Sequence, residues 1–416
     1  MLNYKNNQPY IEGVAVNDII KSYKTPFYVY SQKAITENYV RLKNNLNADI
    51  FYAVKANSNQ AIIELLKLLG AGVDVVSIGE LKRALIAGVD PKKIIFEGVG
   101  KSDKDIIFAI EKNIRLINIE SINELMLIDS IAKAMNKKVN VGVRINPNID
   151  GKTIDKISTG KKTDKFGISI DNFEDIIDSL KETNNLNLVG ISCHVGSQIH
   201  NLDVFEKIFK IMKTTTNKFI EAGFNIENLD LGGGLAVQYL DTDPIVELDK
   251  LKKIFDLYFK NVKYKISFEP GRYLVANAGC IITNIVALKN NGGINYLITD
   301  AGMNTIVRPA LYNAIHRIDA IDVSSNMQIE YSIAGPICES SDILVKNITL
   351  PKQTIGNYLV IYDTGAYGHV MASDYNSRGL PAEILINDSM VATIHQPQSI
   401  EEIIQQDKIP SWLRSS

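Results

Sequence analysis

From about residue 48 the chain repeats one pattern eight times: a short apolar, β-rich run ending in polar residues or glycine, then an amphipathic helical stretch. The runs cover residues 50–54, 73–76, 94–96, 116–119, 139–145, 188–193, 229–231 and 266–268. Parallel strands joined by helices need cover on both faces, and eight such units are the number that closes a barrel. The expected class is therefore α/β, with a (β/α)8 barrel of TIM type.

The helical stretches carry their own start and stop signals. Ser58 precedes an apolar face made by Ile62, Ile63, Leu65, Leu66, Leu68 and Leu69, and Gly70 stops it. Ser77 with Glu80, and Ser121 with Glu124, have the spacing of a capping box, in which a hydroxyl and a carboxylate satisfy orphaned backbone N–H groups. These polar residues read as structural.

After about residue 275 the rhythm changes. Runs at 279–288, 296–299, 327–333, 357–362 and 382–386 are separated by turn residues, as in a mainly β domain. Residues 11–16 and 27–30 also read as extended and precede the barrel. The expected organisation is a barrel over residues 25–275 and a discontinuous β domain over 1–24 and 276–416, with a short helix or tail from about residue 400.

Charge and cysteine usage exclude several classes. The 416 residues carry 45 Lys and Arg against 47 Asp and Glu, so there is no positive excess to displace counterions from nucleic acid. A hydrophobic content of 45% argues for a packed core over disorder. Cys193, Cys280 and Cys338 are too few and too scattered for a disulfide framework or a zinc cluster, and they fit a reducing compartment. The first residues lack a basic start followed by a long apolar run, and no window approaches the roughly 18 apolar residues of a membrane helix. The expectation is a cytoplasmic protein with neither nucleic acid nor membrane as partner. No His, Asp and Glu spacing suggests a metal site.

The chemistry concentrates where the strands end. In Phe51-Tyr-Ala-Val-Lys-Ala-Asn57, Lys55 sits where the first strand opens onto the C-terminal face, the face on which barrels build active sites. A lysine buried there has its pKa lowered and can form an imine with an aldehyde. A lysine that merely snorkels from a strand end is the other reading, and this residue alone leaves both open. Leu231-Gly-Gly-Gly-Leu235 follows the seventh strand and Glu269-Pro-Gly-Arg272 the eighth, the two places where barrels often hold phosphate. Bare glycine amides suit a dianion. Glu269, at the end of an apolar strand, could keep a heterocyclic nitrogen protonated. His194, in Ser192-Cys-His-Val-Gly-Ser197, follows the sixth strand; read alone, it is as readily a structural histidine. An aldehyde-binding lysine, a phosphate cradle and an acid for a ring nitrogen together describe pyridoxal 5'-phosphate (PLP).

With these motifs in place, the chain resembles the diaminopimelate decarboxylases. They belong to the PLP enzymes of alanine racemase-like fold, which also include ornithine and arginine decarboxylases. The resemblance runs from Tyr28-Val-Tyr30 to Pro381-Ala-Glu383. It implies a barrel plus a β domain, a homodimer with shared active sites, and decarboxylation of meso-2,6-diaminopimelate to lysine. It makes Lys55 the imine-forming lysine, His194 the ring stacked on the cofactor, and Ser197 a neighbour of it. It assigns Gly232, Gly233, Gly234, Gly271 and Arg272 to the phosphate region, with Glu269 facing the pyridine nitrogen. In Arg308-Pro-Ala-Leu-Tyr312, Arg308 and Tyr312 would contact substrate, with Arg272 sharing that role. In Gly335-Pro-Ile-Cys-Glu-Ser340, Cys338 would be the catalytic acid and Glu339 the contact for a substrate ammonium, both given by the partner subunit. Tyr367, in Gly365-Ala-Tyr-Gly368, is expected near phosphate and substrate.

The substrate assignment rests on few residues. Diaminopimelate has an amino acid group at each end, so its site must bind a distal carboxylate, which arginine forks suit. The segment Thr159-Gly-Lys-Lys-Thr-Asp-Lys-Phe-Gly167 also resembles the diaminopimelate enzymes. Three places depart from the pattern: Ser77-Ile-Gly-Glu80, Gly232-Gly-Gly-Leu-Ala236 and Ser377-Arg-Gly-Leu-Pro381. The competing readings are a decarboxylase of ornithine or arginine, and a PLP-binding protein without catalysis. A racemase would need a second base, which is not evident.

Overall fold

Eight parallel strands close on themselves: Asp49–Ala53, Gly72–Val75, Ile94–Phe96, Leu116–Ile119, Val139–Asn146, Leu186–Ser192, Asn228–Asp230 and Lys265–Phe268. Each pairs with the next, and the last returns to the first through Ser267↔Asp49 and Phe268↔Ile50. The eight runs read from the sequence fall on these strands, their ends displaced by at most two residues. This computed structural model describes residues 2–5, 8–151 and 159–414.

Helices follow the first seven strands: Gln60–Leu68, Ile78–Ile86, Asp103–Lys112, Ile122–Ala134, Phe173–Glu182, Leu202–Glu221 and Leu248–Phe259. Their caps differ in detail from expectation. Asn57 Oδ1 accepts from the Asn59 amide and turns the chain one residue later, so Asn59, not Ser58, caps the first helix by accepting from Ala61 N. Ser77 and Ser121 accept from the amides of Glu80 and Glu124 as expected. The two carboxylates, however, reach back to Val76 N and Glu120 N, one residue before the cap. A complete capping box is instead made by Ser102 and Asp105.

Polar side chains from several strands meet each other in the barrel. Asn118 donates to Glu97, which also accepts from Ser192 Oγ at 3.3 Å. Asn228 donates to Ser267 Oγ at 2.9 Å, and Ser267 donates to Asp230. These groups are buried, and buried polar groups are tolerated when they bond one another.

The second unit comprises Met1–Ile35, Tyr239–Thr242 and Val275–Ser416; the barrel unit comprises Thr36–Gln238 and Asp243–Leu274. The N-terminal border therefore lies at residue 35 in place of 24. Phe27–Ser31 pairs antiparallel with Gly279–Asn291 on one edge and parallel with Ala382–Asn387 on the other, which commits it to the β sheet. A strand enclosed on both edges and both faces can be apolar throughout, and Phe27, Tyr28, Val29 and Tyr30 are all fully buried. The core of this unit takes alternate residues from neighbouring strands: Phe27 and Val29, Cys280 and Ile282, Ile384 and Ile386.

Candidate active site

Lys55 lies in the single turn Val54–Ala56 that follows the first barrel strand. Tyr52 Oη donates to Asn57 O at 2.8 Å, and Ala53 N donates to Pro270 O at 3.3 Å, which ties this turn to the loop after the eighth strand. A Cβ on Gly271 would come within 2.9 Å of Ala56 Cβ, so only glycine permits that approach. The Lys55 side chain is 36% exposed, so the burial expected from the sequence is only partial. Its Nζ lies 3.3 Å from Oδ2 of Asp74, which is fully buried. Asp74 was not anticipated; its signal is a carboxylate inside the apolar run Gly72-Val-Asp-Val75.

The glycine triplet packs three loops together. A Cβ on Gly232 would collide with the Cys193 carbonyl oxygen, one on Gly233 with that of Glu269, and one on Gly234 with that of Gly196 at 2.5 Å. Gly232 also needs a positive φ of 68°. Two of the three amides are already engaged: Gly232 N donates to Asp230 Oδ1 at 2.7 Å and Gly233 N to His194 Nδ1 at 3.1 Å. This corrects the expectation of three bare amides. Gly232 and Gly233 shape the cradle and hold His194, because amides that close to their own loop satisfy it first.

The bond from Gly233 makes His194 Nδ1 an acceptor, so a neutral ring carries its proton on Nε2. Desolvation, then the positive charges of Lys55 and Arg144, hold its pKa well below the ordinary histidine range. Arg272 Nε donates to Ser197 Oγ at 3.1 Å, so two further expected residues meet.

Glu269 is buried at the end of the eighth strand, and its Oε1 has no hydrogen-bond partner among the described residues. Burial first, then the negative charges of Asp230, Asp74 and Glu97, push its pKa well above the usual carboxylate range. Arg144 partly balances this group of acids, with Nη1 2.7 Å from Glu120 Oε1 and 3.5 Å from Glu97 Oε2. Arg144, Glu97 and Asp230 were also missed; inward-facing polar residues within apolar strands are their only sequence trace. An unpartnered buried carboxylate oxygen is costly unless something protonated meets it. The orphaned oxygen, the cradle that side chains would fill and the strand-end amine fit PLP: a pyridinium for Glu269, a phosphate by the glycines and an aldehyde for Lys55.

The remaining expected residues lie on three segments of the β unit. Arg308 and Tyr312 begin and end the short helix Arg308–Tyr312. Arg308 is only 6% exposed. Its guanidinium is held by His316 and Tyr239, two residues the sequence reading did not single out. Cys338 and Glu339 are exposed on the loop between strands Gln328–Ala334 and Ile343–Pro351. Asp342 braces this loop by accepting from Ile337 N at 2.7 Å and Met303 N at 2.6 Å, and Cys338 N donates to Asn376 Oδ1 at 3.0 Å. Tyr367 adopts φ of 54°, a left-handed conformation uncommon for an aromatic residue and frequent at functional sites.

Among the described residues no group of His, Cys, Asp and Glu could hold a metal ion, and no helix is long and apolar enough to cross a membrane.

A closed parallel barrel with a strand-end lysine beside a buried carboxylate, a glycine cradle and an orphaned Glu269 oxygen suits a pyridoxal phosphate enzyme, and residues 32–276 match the family described as pyridoxal-dependent decarboxylase, pyridoxal binding domain. The chain belongs to the diaminopimelate decarboxylase family within it. It is 37% identical to the diaminopimelate decarboxylase of Aquifex aeolicus over 97% of this chain and 96% of that one. It is equally 37% identical to the enzyme of Pseudomonas aeruginosa, over 96% and 97%. The crystal structure of diaminopimelate decarboxylase from Methanocaldococcus jannaschii, in complex with L-lysine, superposes with a TM-score of 0.94 at 36% identity, covering 99% of each chain.

Proposed function

We propose that this chain decarboxylates meso-2,6-diaminopimelate to L-lysine and CO2 with PLP, the last step of lysine biosynthesis. The observation that carries the cofactor chemistry is the buried, unpartnered Oε1 of Glu269 at the same barrel end as Lys55. The relatives named above carry the substrate.

When bound, PLP supplies an electron sink for the charge left at the carbon that loses CO2. Lys55 Nζ would hold its aldehyde carbon, and the neutral His194 ring would stack on it. Gly234, Gly271, Arg272 and Ser197 take the phosphate side, with Gly232 and Gly233 setting the loop shape and Tyr367 near phosphate and substrate. Glu269 would hold the ring nitrogen protonated, and so favour the negative charge the ring takes up. Cys338 Sγ delivers a proton to the reacting carbon, a general-acid role within the reach of a thiol. Arg308, with Arg272 and Tyr312, binds the distal carboxylate, and Glu339 the distal ammonium.

The active form in this reading is a homodimer in which Cys338 and Glu339 serve the partner's barrel. Their exposure on a braced loop supports it. A cytoplasmic location rests on cysteine usage: all three thiols are free.

The test is a product assay with meso-diaminopimelate, ornithine and arginine offered side by side to the PLP-loaded enzyme. Lysine and CO2 from the first, with little turnover of the others, is expected. Preferred release of a diamine from ornithine or arginine would overturn the substrate reading.

A further inference from the structure

Two of the groups that hold Arg308 carry no negative charge. Its Nη1 lies 2.8 Å from His316 Nε2, and its Cζ lies 4.7 Å from the centroid of the Tyr239 ring. A guanidinium N–H only donates, so His316 Nε2 accepts. The other ring nitrogen, Nδ1, lies 2.8 Å from the Tyr362 carbonyl oxygen, which only accepts, so Nδ1 carries the hydrogen. Both bonds together require a neutral ring with its proton on Nδ1, because a second ring proton would face the guanidinium N–H.

Local folding places these groups. Asn313, at φ of 53°, ends the Arg308–Tyr312 helix and turns the chain back. Tyr362 N then donates to Arg317 O at 2.9 Å, which anchors the backbone beside His316 to the same residue that receives its ring proton. His316 is 2% exposed, and the Tyr239 ring meets it edge-on at 5.4 Å. The guanidinium is thereby fixed along one edge by His316 and across one face by Tyr239. A carboxylate in either place would orient the fork and also offset its charge; an imidazole acceptor and an aromatic face orient it without adding a negative charge.

We propose that His316, with Tyr239, is a positioning residue that aims the charged fork of Arg308 at the carboxylate of the substrate's non-reacting end, and so sets selectivity for substrates that carry that carboxylate. This rests on the reading of Arg308 as the distal-carboxylate contact.

The experiment compares PLP-loaded wild type with His316→Asn, His316→Gln and Arg308→Ala. Asn keeps a donor for Tyr362 O but places no acceptor at the guanidinium, whereas Gln restores one near the Nε2 position. His316→Asn is expected to raise KM for meso-diaminopimelate about tenfold with kcat within about threefold, and Gln to recover most of the loss. Competitive inhibition carries the second readout. L-Lysine, which keeps the distal carboxylate, should weaken about tenfold on His316→Asn, while cadaverine, which lacks it, should be unchanged. A KM unmoved in His316→Asn but raised in Arg308→Ala overturns the positioning role and leaves the substrate reading standing. A KM unmoved in Arg308→Ala overturns the reading beneath it. Equal weakening of lysine and cadaverine overturns the proposal in favour of a merely structural histidine. Should His316→Asn fail to fold, Tyr239→Leu decides: lysine weakened with cadaverine unchanged supports the proposal, and no change overturns it.

Discussion

Lys55 Nζ and Asp74 Oδ2 stand 3.3 Å apart, one at the surface of the barrel mouth and the other fully buried. The barrel register brings them together: Ala53 of the first strand pairs with Asp74 of the second, and Lys55 lies two residues beyond Ala53. The carboxylate draws the amine back over the barrel. Because the lysine is partly exposed, the pair contributes little to stability, about 1 kcal/mol at most. Its consequence is orientation. In Asp74→Asn, PLP attachment to the cofactor-free protein should slow about fivefold, read from the absorbance of the lysine-bound cofactor. In Lys55→Ala no mass increment should survive borohydride reduction, and retention of full turnover would defeat the assignment.

The glycine cradle gives a prediction about backbone. Gly233→Ala puts a Cβ against the Glu269 carbonyl oxygen, an atom that cannot move without shifting the eighth strand's end. The expected cost is about 1–3 kcal/mol, with PLP occupancy falling alongside. Thermal unfolding of the variant with and without added PLP measures both. An unchanged midpoint and full occupancy would mean that the loop has slack the packing does not show.

Glu269 ties stability to pH. Its pKa is raised in the folded chain by burial and by neighbouring carboxylates, whereas unfolded it titrates near 4.5. Above that value the folded chain holds more protons than the unfolded one, so this group's contribution is present at low pH and is lost as pH rises. Glu97, pushed up to about 7 chiefly by burial, acts in the same direction. The cofactor-free protein should therefore lose stability between about pH 5 and 8, and Glu269→Gln should flatten that slope. Bound PLP should flatten it too, by giving the carboxylate a positive partner. Unfolding midpoints across this range, with a slope identical in the Gln variant, would remove Glu269 as the cause.

Cys338 gives a prediction about assembly. Cys338→Ala should retain PLP and lose about 10²–10⁴ in kcat, the usual contribution of a positioned general acid. Mixed with Lys55→Ala subunits, it should regain part of the activity, since one of the two sites in a mixed dimer would hold both intact residues. Mixtures as inactive as either parent would place lysine and thiol of one site on the same chain.

Much of the barrel was legible because its signals are local. An apolar run, a cap and an amphipathic face each sit within a few residues, and their repetition counts the strands. The β unit was harder. Ile343–Pro351 went unread because its outward residues Lys346, Asn347 and Thr349 break up the apolar run, Met390–His395 because it is short and has no apolar/polar alternation, and Ile318–Ala320 because it is three residues long. The catalytic motifs were legible as unusual residues in apolar places, Lys55 and Glu269 above all. Their partners were not: Asp74, Arg144, Tyr239 and His316 lie far from them in sequence or inside unremarkable text.

The order of strands and helices, the border region near residue 275 and the chemical kind of each strand-end residue were determined by the sequence itself, since periodicity and residue type are properties of neighbours along the chain. Which residues meet was decided only by the tertiary structure. Strand register sets Lys55 beside Asp74, loop packing gives the Gly233 amide to His194, and a turn at Asn313 brings His316 under Arg308. Hydrogen bonds and charges act over a few ångströms, and such distances between remote residues exist only once the chain has closed.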